Sequence, residues 1–147
     1  MKSLLILRHA KSSWTHPELT DHDRPLNKRG KRDSPRMGEI LRSEHLIPEA
    51  IISSTAARAH ATAEAVAKAS GYKGKIALNR SLYAAGPEAY FKVLYGLSND
   101  TVRVLVVGHN PGLEELLENF TGEAQSARRR NHILCISLNS QKLKIYQ

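Results

Sequence analysis

The sequence predicts an α/β domain of three layers, a sandwich in which helices flank a mainly parallel central sheet. Short apolar runs alternate with segments of helical periodicity along the 147 residues, which is the order that βαβ units produce. Val102–Val107 is a run rich in β-branched valine, typical of a central strand buried on both faces. Because no repeat, linker or low-complexity segment divides the chain, we expect a single domain over residues 1–147.

The first elements follow from apolar spacing and from proline. Residues 3–8 are apolar and are expected to form a strand. The stretch 12–27 is polar and contains Pro17 and Pro25, so we expect a loop. Residues 28–45 carry apolar positions at helical spacing, and Pro35 predicts that this helix starts or kinks late.

The middle of the chain repeats the order of strand and helix. Ala50–Ser53 is expected to be a short strand, and the alanine-rich segment Thr55–Ser70 a helix that ends at Gly71. Lys75–Leu78 is the next short strand. Pro87–Leu97 is expected to be a helix with proline in its first turn.

The last third of the chain closes the sheet. A helix is expected over Pro111–Phe120, after the central strand, followed by strands at Ile133–Leu138 and Leu143–Tyr146. Only a short link, residues 139–142, joins these two strands, and it permits a hairpin. One edge of the sheet can therefore be antiparallel.

Composition excludes several classes of protein. The hydrophobic fraction is 41%, and no apolar run approaches the roughly 20 residues that span a bilayer. The apolar strand begins directly after Met1–Ser3, which leaves no room for a signal peptide. The single cysteine, Cys135, lies in an apolar run and is expected to be a buried structural thiol. We expect a cytoplasmic protein that does not associate with membranes.

The net charge of +8 bears on the partners of the protein. Positive residues are spread along the whole chain, and only Arg128–Arg130 forms a run, which either docks an acidic partner or faces solvent. Basic residues are not interleaved with aromatic ones as in single-strand nucleic-acid binders. We therefore expect anionic substrates or acidic protein partners, and no nucleic acid.

The first strand ends on an arginine and a histidine, Arg8 and His9. Ligands of open α/β sheets bind beyond the carboxyl ends of the strands. Arginine offers a planar fork of donors to an oxyanion, and histidine can act as a nucleophile or base near neutral pH. The pair predicts a site for anion chemistry, whereas the alternative is a strand end that merely meets solvent.

Two later segments repeat this arrangement. Ser53–Arg58 runs from a strand into a helix, whose N-terminus attracts anions, with Arg58 in the first turn. His109 follows the central strand directly after Gly108. Each has a plain structural alternative, an exposed helix arginine for Arg58 and a capping loop histidine for His109.

A fourth candidate lies in the polar loop after the first strand. Arg24 can fold over the site as a further phosphate contact. Alternatively, it faces solvent in an ion pair with its neighbour Asp23.

Taken together, these segments bring two histidines and two arginines to one edge of the sheet. This set suits a phosphoryl group, whose transfer depends on positioning and on neutralising charge on its oxygens. The sequence contains no HExxH motif, no second cysteine and no cluster of acids near either histidine, so we expect no metal and no cofactor.

Four ordered motifs resemble the histidine phosphatase superfamily. They are Leu-Ile-Leu-Arg-His-Ala in the first strand, Arg-Pro-Leu-Asn-Lys-Arg-Gly at 24–30, Ser-Ser-Thr-Ala-Ala-Arg-Ala-His-Ala-Thr-Ala-Glu at 53–64 and Val-Gly-His-Asn-Pro-Gly-Leu-Glu at 107–114. The short chain and its Arg-His-Ala-Lys start are most similar to SixA-like phosphohistidine phosphatases. The resemblance implies a phosphoglycerate mutase-like sandwich.

The resemblance also implies roles for the candidate residues. His9 matches the nucleophile that becomes phosphorylated, and Arg8, Arg58 and His109 match the phosphate pocket. Arg24 matches a loop arginine whose substrate-binding role varies within the family. The implied partner is a phosphorylated protein, such as a histidine phosphotransfer domain, or a small phosphorylated molecule.

Three departures from the family pattern matter. Ala10 replaces a frequent glycine, and residues 124–132 lack the family's Pro-Thr turn. Larger relatives carry a general acid after the third strand, but Ser81–Gly86 contains none, and Glu88 is either that acid or a helix N-terminal charge. We identify no general acid. Because imidazole leaves more readily than an alkoxide, this favours a phosphohistidine substrate.

The sequence thus predicts a phosphatase that forms a covalent phosphohistidine intermediate on His9 and acts on phosphohistidine in a protein. Two alternatives remain open. One is a phosphatase of small phosphorylated metabolites, and the other is a phosphate-binding module without catalysis.

Overall fold

A computed structural model of the chain describes residues 3–122, 133–138 and 142–147. The strands are β1 (Ser3–Arg8), β2 (Ala50–Ser54), β3 (Ile76–Asn79), β4 (Arg103–Gly108), β5 (Ile133–Ser137) and β6 (Lys142–Tyr146). The helices are α1 (Lys28–Ser43), α2 (Ala57–Ser70), α3 (Pro87–Tyr95) and α4 (Gly112–Thr121), and a short 3₁₀ turn covers Arg80–Leu82. Arg128–Arg130 and the loop 124–132 lie outside the described residues.

The six strands form one sheet in the order β3-β2-β4-β1-β5-β6. β1 pairs with β4, and β2 with β3 and β4, in parallel. β5 pairs antiparallel with both β1 and β6. The predicted α/β sandwich with a mainly parallel sheet and an antiparallel edge is confirmed.

Two apolar clusters, one on each face of the sheet, form the core. Side chains alternate across a strand, so Leu5 and Leu7 of β1 pack in one cluster and Leu4 and Ile6 in the other. Helices α1 and α2 cover the first cluster, while α3 and α4 cover the second. Cys135 is a free, buried thiol, as expected from the sequence. None of the helices in the described ranges is long and apolar enough to cross a membrane.

The helix α1 begins earlier than the sequence suggested. The Asn27 side chain accepts a hydrogen bond from the Gly30 amide at 2.9 Å, which caps the helix at Lys28 and leaves Pro35 inside it. The late start predicted from Pro35 is therefore wrong. The carbonyl that loses its helical donor to this proline belongs to Lys31, an exposed residue, where water can pair with it.

Candidate active site

The parallel strands β1 and β4 end side by side and carry the two candidate histidines. Arg8 is paired in register with Gly108, and the His9 amide donates to the Gly108 carbonyl at 3.0 Å. The rings of His9 and His109 consequently lie 5.0 Å apart between centroids. The strand-end arrangement predicted from the sequence brings these two side chains into one site.

A backbone carbonyl fixes the ring of His9. Its Nδ1 lies 2.8 Å from the Ala10 carbonyl oxygen, and because a carbonyl can only accept, Nδ1 must carry the proton. The lone pair is therefore on Nε2. The pKa of His9 is lowered from 6.5 to about 3, mainly by burial; the Ala10 carbonyl opposes this shift, and the nearby His109, Arg58 and Arg8 add to it. His9 is a neutral imidazole at physiological pH.

Helix α2 holds the segment that follows His9. The Ala10 amide donates to Thr62 Oγ1 at 3.0 Å, and the same hydroxyl donates to the Arg58 carbonyl at 2.7 Å. Thr62 is buried, so this link is shielded from water. The strand end that carries His9 is thus tied to the first turns of the helix that carries Arg58.

Arg58 is buried, with 7% of its surface exposed, and its guanidinium reaches the nucleophile candidate. Its Nε donates to His9 Nε2 at 3.2 Å. Its Nη1 donates to the Asp21 carbonyl, and its Nη2 donates to Asp21 Oδ2 at 3.0 Å. The alternative of an exposed helix arginine is wrong, because this side chain belongs to the site.

Arg8 approaches the same place from the end of β1. Arg8 is exposed, whereas the four residues before it in β1 are buried. Its charge contributes to lowering the pKa of both His9 and His109. The site therefore combines one buried and one exposed guanidinium around two neutral rings.

His109 is buried at the end of β4, with 6% of its surface exposed. Its Nε2 lies 2.8 Å from Ser54 Oγ, and its amide donates to the Tyr90 hydroxyl at 3.2 Å. Its Nδ1 is buried and has no hydrogen-bond partner within the described part of the chain. Burial first, and Arg58 second, lower the pKa of His109 to about 4, so this ring is also neutral at physiological pH.

Arg24 is buried, but its donors are directed to the loop that carries it. Nε donates to the Ser13 carbonyl at 3.0 Å, Nη2 to Ser12 Oγ at 2.6 Å and Nη1 to Asp21 Oδ1 at 2.7 Å. The guanidinium also lies over the exposed Trp14 ring, 3.2 Å from its centroid. The alternative of a solvent-facing Arg24 paired with Asp23 is wrong, because Arg24 is buried and pairs with Asp21. Substrate binding by Arg24 stays a prediction.

Sequence reasoning missed two residues of this site, Asp21 and Tyr83. Asp21 Oδ2 accepts from the Tyr83 hydroxyl at 2.8 Å in addition to Arg58. The Tyr83 ring packs edge-on against His109, with centroids 5.7 Å apart. Tyr83, together with Arg24 and Arg58, holds the pKa of Asp21 well below its usual range. No periodicity marks an acid in a polar loop, so the sequence offers no signal for Asp21.

The segment expected to lack an acid contributes Tyr83 to the site. Glu88, the nearest acid in sequence, is exposed in the first turn of α3. There its charge suits the helix dipole. The interpretation of Glu88 as a helix N-terminal charge is the better of the two that the sequence left open.

The fold and the site define an α/β protein whose parallel strands bring two histidines and two arginines to one sheet edge. The chain belongs to the histidine phosphatase superfamily (branch 1), whose family model matches residues 4–82. This confirms the resemblance read from the motifs.

Two curated relatives are uncharacterised proteins. The chain is 31% identical over 142 residues to a chloroplastic protein of Arabidopsis thaliana, covering 90% of this chain and 65% of that protein. It is 32% identical over 119 residues to a protein of Mycobacterium leprae, covering 79% of this chain and 71% of that protein. The chain thus spans about two thirds of the length of these relatives.

Solved structures match over almost the whole chain. A protein of Agrobacterium tumefaciens assigned as the phosphohistidine phosphatase SixA is 28% identical, with a TM-score of 0.85 over 99% of this chain and 96% of that one. A SixA protein histidine phosphatase complexed with tungstate has a TM-score of 0.83 at 21% identity, covering 99% and 94%. An Escherichia coli protein assigned as an α-ribazole-5′-phosphate phosphatase has a TM-score of 0.75 at 16% identity, covering 99% and 96%. The last two likenesses concern the fold alone.

Proposed function

We propose that this chain is a phosphatase that uses His9 as its nucleophile and acts on phosphohistidine in a protein. The observation that carries the proposal is the state of His9, a neutral ring whose Nδ1 is bound to the Ala10 carbonyl. Nε2 attacks phosphorus and the bond from phosphorus to the leaving group breaks. Water then attacks the phosphoryl group, the bond from phosphorus to Nε2 breaks, and inorganic phosphate leaves with the electron pair returned to His9. Dividing hydrolysis into two displacements is covalent catalysis.

Charge on the phosphoryl oxygens is neutralised by the groups around His9. Arg8 and Arg58 supply positive charge. His109 supplies its Nδ1 nitrogen, which has no hydrogen-bond partner among the described residues. A phosphoryl dianion next to His109 favours its imidazolium, so binding raises the pKa of that ring. Preorganised donors of this kind are typically worth about 3–4 kcal/mol each in the transition state.

Arg58 must change its contact when the phosphoryl group binds. Its Nε–H is directed at the lone pair of His9 Nε2, which is the electron pair that attacks. A phosphoryl oxygen accepts this N–H in place of the ring nitrogen, which exposes the lone pair to phosphorus. The guanidinium thereby couples binding of the anion to release of the nucleophile.

The chemistry of the leaving group supports phosphohistidine as the substrate. An alkoxide requires a proton donor, but Ser81–Gly86 contains no acid and Glu88 is an exposed helix charge. Asp21 lies at the site, but its low pKa keeps it ionised. Imidazole leaves without such help once its other nitrogen is protonated. The likeness to the Agrobacterium SixA structure agrees with this choice.

A phosphatase of small metabolites is the second candidate, because the same fold occurs in proteins assigned as α-ribazole-5′-phosphate and glucosyl-3-phosphoglycerate phosphatases. A comparison of three substrates separates the two: a protein phosphorylated on histidine, an aryl phosphate and a sugar phosphate. We expect the largest kcat/KM for the phosphohistidine protein. Faster turnover of the sugar phosphate would instead favour the metabolite phosphatase.

The same assay with His9→Ala tests the nucleophile. We expect a loss of about 10³-fold or more for every substrate, as is typical when a covalent nucleophile is removed. His16→Ala is the matched control, because His16 is a loop histidine whose side chain is 48% exposed and pairs only with Glu18 within the described residues. If the wild-type protein binds the phosphorylated substrates but hydrolyses none of them, the result would favour a phosphate-binding module without catalysis.

A further inference from the structure

The carboxylate of Asp21 connects the buried part of the site to its surface. Its Oδ2 accepts from Arg58 at 3.0 Å and from Tyr83 at 2.8 Å, and its Oδ1 accepts from Arg24 at 2.7 Å. The Asp21 side chain is 49% exposed, whereas that of Arg58 is 8% exposed. One guanidinium therefore spans from His9 Nε2 to a carboxylate at the rim of the site.

This carboxylate is ionised. The hydroxyl of Tyr83, followed by the guanidinium groups of Arg24 and Arg58, holds the pKa of Asp21 far below neutrality. A group in this state has no proton to give to a departing oxygen. It can, however, accept a hydrogen bond from a leaving group that already carries a proton.

Phosphoramidates and oxygen esters differ in whether the leaving group needs a proton from the enzyme. When a P–O bond breaks, the electron pair goes to oxygen, which becomes an alkoxide or phenoxide and requires a proton. When the P–N bond of a phosphoimidazolium breaks, the pair goes to the ring nitrogen, and the ring becomes neutral. The proton on the other nitrogen stays where it is, so the step balances without an external acid.

We propose that Asp21 is a specificity-determining residue that accepts the N–H of a phosphoimidazolium ring, keeps that ring protonated until the P–N bond breaks, and thereby favours phosphoramidates over oxygen esters. In an in-line displacement the leaving group lies opposite His9 Nε2, and in a protein substrate it must point out of the pocket. Arg58 contacts His9 Nε2 at 3.2 Å and Asp21 Oδ2 at 3.0 Å, so the half-exposed carboxylate lies one guanidinium group away from the attacking nitrogen, and we expect it to meet such a ring. The same charge disfavours an oxygen leaving group, because negative charge develops there.

This inference rests on the proposed function, and Asp21→Asn tests it. The substitution keeps the shape and one acceptor oxygen but removes the charge. The probes are phosphoimidazole and phenyl phosphate, and the measured quantity is the ratio of their kcat/KM values. We expect this ratio to fall by about tenfold or more, the loss typical of one hydrogen bond to a charged group.

Asp23→Asn is the matched control. Asp23 is two residues away and 58% exposed in its side chain, and it contacts Thr20 and His22 rather than Arg58. Asp23→Asn changes the net charge by the same amount as Asp21→Asn, and we expect it to leave the ratio of the two kcat/KM values at its wild-type level. The inference is overturned if both probes slow in parallel in Asp21→Asn, since that would mean Asp21 only holds Arg58. It is also overturned if Asp23→Asn shifts the ratio equally.

Two features of the experiment distinguish a failed role of Asp21 from misfolding of the variant and from failure of the proposed function. Because both probes are measured on one preparation, any misfolded fraction of Asp21→Asn cancels from the ratio. Trapping of a phosphoryl group on His9 is measured alongside. Absence of that intermediate in the wild type contradicts the proposed function, whereas an unchanged ratio with the intermediate present contradicts only the role of Asp21.

Discussion

The Nε of Arg58 lies 3.2 Å from Nε2 of His9 and donates a hydrogen bond to the lone pair that the proposed reaction uses. Hydrogen bonds fix both groups: Arg58 donates to Asp21, and His9 Nδ1 donates to the Ala10 carbonyl. The structure thus joins the main cation of the site directly to its candidate nucleophile.

The shape of the Arg58 side chain matters as much as its charge. Arg58→Lys retains a positive charge but loses the planar fork that reaches His9 and Asp21 at once. We expect kcat/KM to fall by about 10²–10³-fold, as for loss of an oxyanion donor. The measurement is steady-state kinetics on an aryl phosphate.

The control for this variant is Arg36→Lys. Arg36 lies on α1, is 63% exposed in its side chain and makes only a long 3.9 Å contact with Asp33 within the described residues. It should retain wild-type kinetics. Equal activity of Arg58→Lys and the wild type would show that the fork is not needed.

The pKa of His109 predicts a particular loss of stability in acid. Its pKa is lowered from 6.5 to about 4 in the folded protein, so the unfolded chain binds the proton first as pH falls. The stabilising contribution is complete above pH 6.5 and is lost as pH falls from there toward 4. Over that window the group lowers the free energy of unfolding by up to about 1.4 kcal/mol per pH unit.

His109→Gln removes this dependence. Urea unfolding at several pH values should show a shallower pH slope for His109→Gln than for the wild type between pH 6.5 and 4. His16→Gln, on an exposed loop, serves as the control and should follow the wild type. Identical slopes for all three proteins would mean that burial of His109 does not suppress its protonation.

Gly30 permits the close approach of α1 to the segment after His9. A Cβ at this position would lie 2.2 Å from the Lys11 carbonyl oxygen, a backbone atom. Gly30→Ala must therefore displace either the helix or the loop, and we expect a loss of about 1–3 kcal/mol in the free energy of unfolding. Activity should fall as well, because Lys11 is two residues from His9.

Gly96→Ala is the control for this substitution. The nearest atom to a Cβ at Gly96 is the Val93 carbonyl oxygen at 3.5 Å, an ordinary contact. We expect wild-type stability and activity from it in the same urea titration. If Gly30→Ala is as stable as Gly96→Ala, α1 and the segment after His9 move apart at less cost than the close contact with the Lys11 carbonyl indicates.

The strand ends could be predicted from the sequence because burial and direction of a parallel strand determine where its last residue lies. Arg8, His9 and His109 follow apolar strands whose carboxyl ends meet at one edge, and Arg58 begins the helix after a third. The predicted bounds differ from the observed ones by up to two residues at most ends, where caps decide the boundary.

The polar loop could not be predicted in the same way. Asp21 and Arg24 reach their partners through contacts with Arg58, Tyr83 and Ser12, all distant in sequence or without regular spacing. The start of α1 was missed because the Asn27 side chain caps the helix at Lys28, seven residues before Pro35. Tertiary contacts therefore complete a site whose main groups the strand pattern already indicates.

Trapping the phosphoryl group during turnover tests the role of His9 most directly. Wild-type protein is mixed with substrate, quenched within milliseconds to seconds in alkaline denaturant, digested and analysed by mass spectrometry. If His9 is the nucleophile, the wild type carries an acid-labile phosphoryl group on the peptide that contains His9, and His9→Ala carries none. A phosphoryl group on another residue, or turnover by His9→Ala at the wild-type rate, would contradict this role of His9.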